Sequence, residues 1–329
     1  MHRLNIGFIF TTCLACLLIS DSWAADVSST GRKTVLVTGA SSGIGRQIAL
    51  TLAENGFFVF AGARKAGDIA ELSELENIQG VRLDVTIQSD IDAAVETVQQ
   101  HGQGLFGLVN NAGVFIYDPL IEVSEKDMRF VLDVNVLGPY RVTKAFAPLL
   151  MESKGRISTI GSISGVTSGR LMGPYGMSKH AIESFTDSLA AEMAKLDVAV
   201  SVIEPGNFRS DIMKNMKQRS DDQSSDAPES LFDAEISRFA GFTQTDRSRH
   251  LAPTPVALAT LDFLSAEQPK RRYLVAPNAR EAEFAIRSAL KRVAELNHDQ
   301  PYSQSREALI TTLDELMTEL SSNSHAEKQ

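Results

Sequence analysis

A tyrosine and a lysine four residues apart are the side chains best suited to acid–base chemistry. Tyr175 and Lys179 fall in a helix-like stretch, where this spacing places the phenol and the ammonium on one helical face. A neighbouring cation lowers the pKa of a phenol from its reference of about 10, so this pair would provide an acid and base near neutral pH. A surface tyrosine and a surface lysine produce the same spacing, so the pair alone leaves both interpretations open.

A glycine-rich turn is the second chemical feature. Residues 38–45 read Thr-Gly-Ala-Ser-Ser-Gly-Ile-Gly and lie between the first strand-like run and the first helix-like stretch. Residues without a Cβ permit a tight turn, and the N–H groups at a helix start suit a pyrophosphate. Many such turns need glycine only for their shape, but a position in the first βα unit favours phosphate binding.

The elements that would position these residues alternate along the chain. Strands are predicted at Thr34–Thr38, Phe57–Ala61, Gly80–Leu83, Phe106–Asn110, Arg156–Ile160, Val198–Ile203 and Arg272–Ala276. Helices are predicted at Ile44–Asn55, Ile69–Leu75, Ser89–His101, Ser124–Met151, Tyr175–Lys195 and Pro255–Ala266. This alternation implies an α/β fold, a Rossmann-type doubly wound parallel sheet with helices on both faces.

Five motifs in a fixed order resemble the single-domain branch of the short-chain dehydrogenase/reductase family. They are the glycine turn, Asn110-Asn111-Ala112-Gly113, Asn135, Ser162 and the Tyr175–Lys179 pair. The resemblance covers residues 33 to about 278, and it is strongest towards members such as the retinol and hydroxysteroid dehydrogenases. Each motif is short, but their joint occurrence is highly specific.

The resemblance implies a role for each catalytic residue. Tyr175 would exchange a proton with the reacting oxygen, and Lys179 would lower the pKa of Tyr175 and hold the nicotinamide ribose. Ser162 would hydrogen-bond to the reacting oxygen, and Asn135 would hold a water that continues the proton relay. The cofactor-binding residues that it implies are Gly39, Ser41, Ser42, Gly43, Ile44, Gly45, Arg64, Asp84, Val85, Asn111, Ala112, Gly113, Tyr175, Lys179, Pro205, Gly206 and Ser210.

The choice of cofactor depends on the end of the second predicted strand. Relatives that prefer NAD carry an acidic residue at the position of Ala63. This chain has no carboxylate there, so nothing at this position repels a 2′-phosphate. Arg64 is placed to pair with that phosphate, and guanidinium–phosphate pairs are strong and directional. NADP is therefore expected and NAD is the alternative, since Arg64 and Lys65 also fit a solvated loop start.

Residues 214–250 interrupt the α/β alternation and predict a lid within the 33–278 domain. They are polar at first and then carry Phe232, Phe239 and Phe242. With Leu171, Met172 and Phe208 near the site, these aromatics favour a bulky apolar alcohol or carbonyl substrate, such as a steroid or retinoid. The alternatives are a 3-ketoacyl-type reductase and a catalytically silent NADP(H)-binding sensor or scaffold.

The two ends of the chain predict further segments. Residues 1–24 have a basic start, an apolar run at 6–19 and small residues before Ala25, a pattern typical of a signal peptide or a short membrane anchor. Residues 25–32 would form a linker, and residues 279–329 a helical extension with a terminal amphipathic helix. The protein would be exported (periplasmic or secreted) or anchored, with membrane association through residues 6–19, and cytoplasmic if the start codon is mis-assigned.

Composition narrows the range of partners. The formal charge of −9, from 32 basic and 41 acidic residues, gives no net attraction to nucleic acid. The histidines are scattered and both cysteines lie in the leader, so the sequence predicts no metal site. Helices Ser124–Met151 and Tyr175–Lys195 correspond to the dimer faces of relatives, so a homodimer or homotetramer is expected.

Overall fold

The computed structural model describes residues 31–221, 230–244 and 250–323. The chain divides into two compact units, Met1–Gly31 and Arg32–Gln329, and the fold lies in the second. The predicted leader, 1–24, lies outside the described residues, as does most of the predicted linker.

A seven-stranded parallel sheet forms the centre of this unit, with the strand order β3-β2-β1-β4-β5-β6-β7. β2 and β3 lie on one side of β1, and β4 to β7 lie on its other side. The strand order therefore reverses between β1 and β4, although all strands are parallel. This topology confirms the predicted Rossmann-type fold. The strands are β1 Thr34–Val37, β2 Phe58–Ala63, β3 Ile78–Arg82, β4 Gly107–Asn110, β5 Arg156–Ile160, β6 Ala199–Pro205 and β7 Arg272–Val275.

Helices cover both faces of the sheet and divide the core in two. One buried cluster includes Ile48 and Leu52 of α1 with Phe263 of α9, and the other includes Val98 of α3 with Phe146 of α5. The helices are α1 Gly43–Glu54, α2 Ala66–Ser73, α3 Gln88–His101, α4 Glu125–Leu132, α5 Gly138–Glu152, α6 Gly173–Met193, α7 Ile212–Asp221, α8 Asp233–Gln244, α9 Thr254–Ser265, α10 Ala279–Asn297 and α11 Arg306–Asn323.

One predicted helix is divided in the structure. The stretch Ser124–Met151 forms α4 and α5, joined by a π-helical turn over Asp133–Leu137. Pro139 explains the break, because its nitrogen carries no hydrogen for the carbonyl four residues earlier and its ring crowds that carbonyl. That carbonyl belongs to Asn135, so the wide turn occurs at one of the predicted catalytic residues.

The last two helices lie beyond β7. The sequence predicts a terminal amphipathic helix that packs on the body or on a partner. In the structure of the single chain, α11 exposes the apolar face that its spacing creates, and packing on a partner stays a prediction. The exposed side chains of this face are Ile310, Leu313, Leu316, Met317 and Leu320. No helix among the described residues is long and apolar enough to cross a membrane.

Candidate active site

The carboxyl ends of the parallel strands meet at one edge of the sheet, and a cavity of about 430 Å³ opens there. Each of the first six strands contributes the segment that follows it. The cavity is lined by Gly39 after β1, Arg64 after β2, Asp84 after β3, Asn111 after β4, Ser162 after β5 and Gly206 after β6.

The glycine-rich turn forms one wall of this cavity. Gly39 and Gly43 have φ angles of 65° and 56°, a region that favours glycine. A Cβ at Gly45 would overlap the side-chain amide of Asn111 and the carbonyl of Gly39. The Asn111 amide donates to the carbonyls of Thr38 and Gly39 at 2.9 and 3.1 Å.

The start of α1 leaves backbone donors available beside that turn. Ser42 is the N-cap of α1, but its side chain makes no capping hydrogen bond, and the turn and first helical residues line the cavity. The N–H groups of a helix start and its positive dipole end bind anions. The glycine positions and the uncapped helix therefore fit the pyrophosphate of a dinucleotide.

Ser162, Tyr175 and Lys179 come together on the opposite side of the cavity. Ser162 follows β5 and is in hydrogen-bonding contact with the Tyr175 side chain. Tyr175 and Lys179 lie one turn apart on α6, with the ammonium 5.6 Å from the centre of the phenol ring. The Lys179 ammonium is buried and donates to the carbonyl of Ile160 at 2.8 Å.

Burial sets the acid–base properties of this pair. Desolvation raises the pKa of Tyr175 to about 12, and the hydrogen bond from Ser162 only partly opposes this. Desolvation also lowers the pKa of Lys179 to about 8, although the charge of Glu183 opposes it. Burial thus acts on the pKa of Tyr175 in the direction opposite to the lowering expected from Lys179, and the role of Lys179 stays a prediction.

Asn135 lies behind the site, outside the set of residues that line the cavity. Its carbonyl oxygen accepts from the backbone N–H of Val114 at 2.8 Å, and its amide donates to Val114 O and Ser178 Oγ, each at 2.9 Å. The buried amide ties the segment after β4 to the helix that carries Tyr175. These contacts concern the side chain only, so the predicted role of Asn135 in holding a water stays a prediction.

One arginine and one aspartate line the cavity just after β2 and β3. Arg64 is exposed, and its guanidinium lies 4.0 Å from a carboxylate oxygen of Asp84. The other Asp84 oxygen accepts from the backbone and hydroxyl of Thr86 at 2.9 and 2.7 Å, which fixes the orientation of the carboxylate. Ala63 is buried at the end of β2, so this position offers no charge of either sign.

The cavity brings together every predicted site residue except Asn135. This placement does not test the individual roles, which stay predictions. The predicted residues that line the cavity are Gly39, Ser41, Ser42, Gly43, Ile44, Gly45, Arg64, Asp84, Val85, Asn111, Ala112, Gly113, Ser162, Tyr175, Lys179, Pro205, Gly206 and Ser210.

Sequence reasoning missed an aromatic wall beside the reacting group. The ring of Phe115 lies 4.7 Å from that of Tyr175 and 6.1 Å from that of Phe239. Tyr117 stacks on Phe239 at 3.6 Å. Phe115 and Tyr117 lie five and seven residues after the end of β4, and this position at the carboxyl edge of the sheet is the signal that could have identified them.

The predicted lid forms two helices where it is described, and α8 contributes to the aromatic wall. Arg170 holds α8 through an ion pair with Glu235 at 2.7 Å. Glu122 accepts from Ser230 and Leu231, just before the helix. Of the lid phenylalanines, Phe239 lines the cavity, whereas the Phe242 side chain lies outside the described residues.

Comparison with known proteins agrees with this geometry. Residues 33–221 match the family model for short chain dehydrogenases. The chain is 34% identical over 272 residues to 3-amino-tetrahydro-pyrrolizinone reductase from Xenorhabdus hominickii, covering 81% of this chain and 94% of that one. It is 38% identical over 197 residues to mitochondrial D-beta-hydroxybutyrate dehydrogenase from Bos taurus, covering 57% of each chain.

A solved structure shows the same architecture. The short chain dehydrogenase/reductase from Burkholderia phymatum, determined in complex with NAD, matches with a TM-score of 0.70 and 25% identity, covering 84% of this chain and 98% of that one. The chain therefore belongs to the short-chain dehydrogenase family of oxidoreductases, and the resemblance found in the sequence is confirmed.

Proposed function

We propose that this protein is an NADP(H)-dependent oxidoreductase that interconverts a bulky apolar alcohol and its carbonyl. One observation carries the proposal: Ser162, Tyr175 and Lys179 meet in the cavity that the glycine-rich turn also lines. An anion-binding turn and a buried acid–base pair in one cavity match the two halves of a nicotinamide-dependent reaction.

Each residue has a defined task in this reaction. A bound nicotinamide supplies or accepts the hydride, and the chain orients the substrate and moves the proton. Tyr175 donates its phenolic proton to the carbonyl oxygen during reduction, and Ser162 holds that oxygen in place. Lys179 binds the nicotinamide ribose, and its charge stabilises the phenolate that remains on Tyr175.

The walls of the cavity support an apolar substrate class. Phe115, Met172, Phe208 and Phe239 line the cavity together with Tyr175. Apolar walls with a few convergent polar groups are the usual composition of a small-molecule site. Binding would therefore gain mainly from removing apolar substrate surface from water, and the polar groups would fix the reacting oxygen.

Steady-state assays test this function. Oxidation of NADPH and of NADH by the purified chain would be followed against steroid, retinoid, acyl and small carbonyls, beside Tyr175→Phe. Loss of the proton donor should lower kcat roughly 10²- to 10⁴-fold while NADPH binding persists. Preferred turnover of acyl substrates would identify a 3-ketoacyl-type reductase. Cofactor binding without turnover on any carbonyl would favour a sensor or scaffold.

Two proposals concern the protein outside the cavity. We propose that residues 1–24 are an export signal or a short membrane anchor, because an apolar run follows a basic start. Cell fractionation with protease protection distinguishes export, anchoring and a cytoplasmic protein.

We also propose that the protein is a homodimer or homotetramer. The exposed side chains of Tyr140 on α5 and Met177 on α6 support this proposal. Light scattering on the purified protein tests it.

A further inference from the structure

Two buried glutamates lie directly behind the reacting groups. Glu183 is on α6, four residues after Lys179, and Glu204 is on β6, next to Pro205. Their side chains are only 12% and 4% exposed. Removing a carboxylate from water is costly unless a partner or a proton compensates for the loss of solvation.

A single guanidinium serves both carboxyl groups. Arg272 of β7 donates to Glu183 Oε2 at 2.7 Å, and its Nε lies 3.5 Å from Glu204 Oε2. The two carboxyl groups thus share one cation, and both are buried. Two ionised carboxylates beside a single guanidinium would leave a net negative charge in the protein interior, which a proton on one of them removes.

The remaining oxygen of Glu183 points towards the segment that carries Ser162. Glu183 Oε1 is buried and makes no hydrogen bond in the structure. A Cβ placed on Gly165 would lie 2.6 Å from this oxygen, and one on Gly161 would lie 3.1 Å from it. These glycines flank Ser162 in the chain, so the carboxyl group fills the space under the Ser162 turn.

We propose that Glu183 and Glu204 form an acid pair that shares one proton, with Arg272 as its cation, and that this pair positions the Ser162 turn and Lys179. The positioning part rests on the proposed function, whereas the shared proton does not. With one proton the pair and Arg272 are together neutral, which suits a buried site. Loss of that proton would place two like charges in contact beneath the reacting groups.

Other charged groups around the pair are few. Lys179 and Asp187 lie on α6, the latter 3.5 Å from the Arg272 guanidinium and 2.8 Å from that of Arg271. Burial and the charge of Glu183 raise the pKa of Glu204 to about 7, and Arg272 only partly opposes them. The folded protein thus retains a proton that the unfolded chain releases at about pH 4.5, the ordinary value for this group.

Thermal unfolding against pH tests the shared proton. Because the folded pKa is raised, the associated stability is complete below about pH 4.5 and is lost as the pH rises to about 7. Glu204→Gln keeps the shape and a donor but cannot titrate. Its Tm relative to wild type should therefore rise between these pH values and then level off. Glu192→Gln, at an exposed site on α6, should give a constant difference.

A constant Tm difference for Glu204→Gln, like that for Glu192→Gln, would overturn the shared proton. This measurement needs no substrate, so it remains decisive even if the chain turns over no carbonyl. Failure of the proposed function and failure of the acid pair are therefore distinguishable.

Kinetics at pH 6 test the positioning role. Glu183→Ala removes the side chain under the Ser162 turn and should lower kcat roughly 10- to 100-fold, as expected when reacting groups are misplaced. Glu183→Gln fills the same space and should restore most of this loss. Equal kcat values for Glu183→Ala and wild type, with both folded by circular dichroism, would show that Glu183 does not position the site. Equal losses in both variants would show that charge, and not shape, matters.

Discussion

Single residues in this cavity owe their chemistry to burial as much as to their neighbours. Lys179 is enclosed by protein and held by the carbonyl of Ile160, so its ammonium has lost most of its water. The pKa near 8 means that a change of one or two pH units alters its charge. A group proposed to bind the cofactor ribose therefore titrates close to physiological pH.

The affinity for NADPH should depend on this titration. As the pH rises through about 8, Lys179 loses its charge in the free protein. Affinity should then fall by up to roughly tenfold per pH unit, because binding must restore the proton. Titration calorimetry from pH 7 to pH 9 measures this slope. Lys179→Met should bind more weakly with no such slope, and an identical slope in both proteins would exclude Lys179 as its source.

Arg64 should determine the preference between the two nicotinamide cofactors. Its guanidinium lines the cavity beside Asp84, and Ala63 adds no carboxylate. Arg64→Ala should lower kcat/KM for NADPH by about 10- to 100-fold, as expected for a charge-assisted hydrogen bond of about 1.5–3 kcal/mol, with little change for NADH. Lys65→Ala, outside the cavity lining, is the matched control. Equal losses with both cofactors would place Arg64 away from the 2′-phosphate.

At the scale of elements, α8 completes a cavity that the sheet alone leaves open. The helix is attached by the Arg170–Glu235 ion pair and by stacking of Phe239 on Tyr117. The Arg170 side chain of this ion pair is 70% exposed, and ion pairs that reach the solvent contribute little stability. The aromatic contacts are therefore expected to provide most of the attachment of α8. They are also expected to limit the size of the substrate that the cavity accepts.

Phe239→Ala should weaken binding of bulky apolar substrates more than of small ones. Truncating an aromatic side chain that lines the cavity removes contact area worth about 1.5–3 kcal/mol, which corresponds to roughly a 10- to 100-fold rise in KM. Leu231→Ala, at a position 82% exposed just before α8, should leave KM unchanged. The comparison is made between the largest and smallest carbonyls that the protein reduces. A KM rise of equal size for both would contradict a role in substrate size.

At the scale of the whole molecule, the described body is unevenly packed. The sheet and its covering helices enclose two buried clusters, whereas α10 and α11 extend beyond β7 with many exposed apolar side chains. The fold stability of a single chain is thus expected to reside in residues 32–278.

A pair of leucine substitutions tests this distribution. Leu264→Ala removes a fully buried side chain of α9 and should lower the free energy of unfolding by about 2–5 kcal/mol. Leu313→Ala, at a position 44% exposed on α11, should change it by less than about 0.5 kcal/mol. Denaturant unfolding measures both. A large, concentration-dependent effect of Leu313→Ala would show that α11 is buried between chains.

The sequence alone determined the sheet, its order of elements and the chemistry along its edge. Alternating periodicities set the βαβ order, and glycine and polar residues at strand ends marked the turns that line the cavity. These signals are local, because a strand end or a helix start depends on neighbouring residues. Tyr175 and Lys179 were therefore found from their spacing on one helix.

Only the tertiary structure decided the burial and the long-range contacts of those residues. Burial, which depends on residues distant in the chain, gave Tyr175 and Lys179 their pKa values. Asn135 contacts Val114 and Ser178, which lie 21 and 43 residues away in the chain. Glu183 and Glu204 come from α6 and β6 and meet through packing, and no spacing in the sequence predicts that contact. Desolvation and long-range contacts are properties of the folded chain, so no local pattern encodes them.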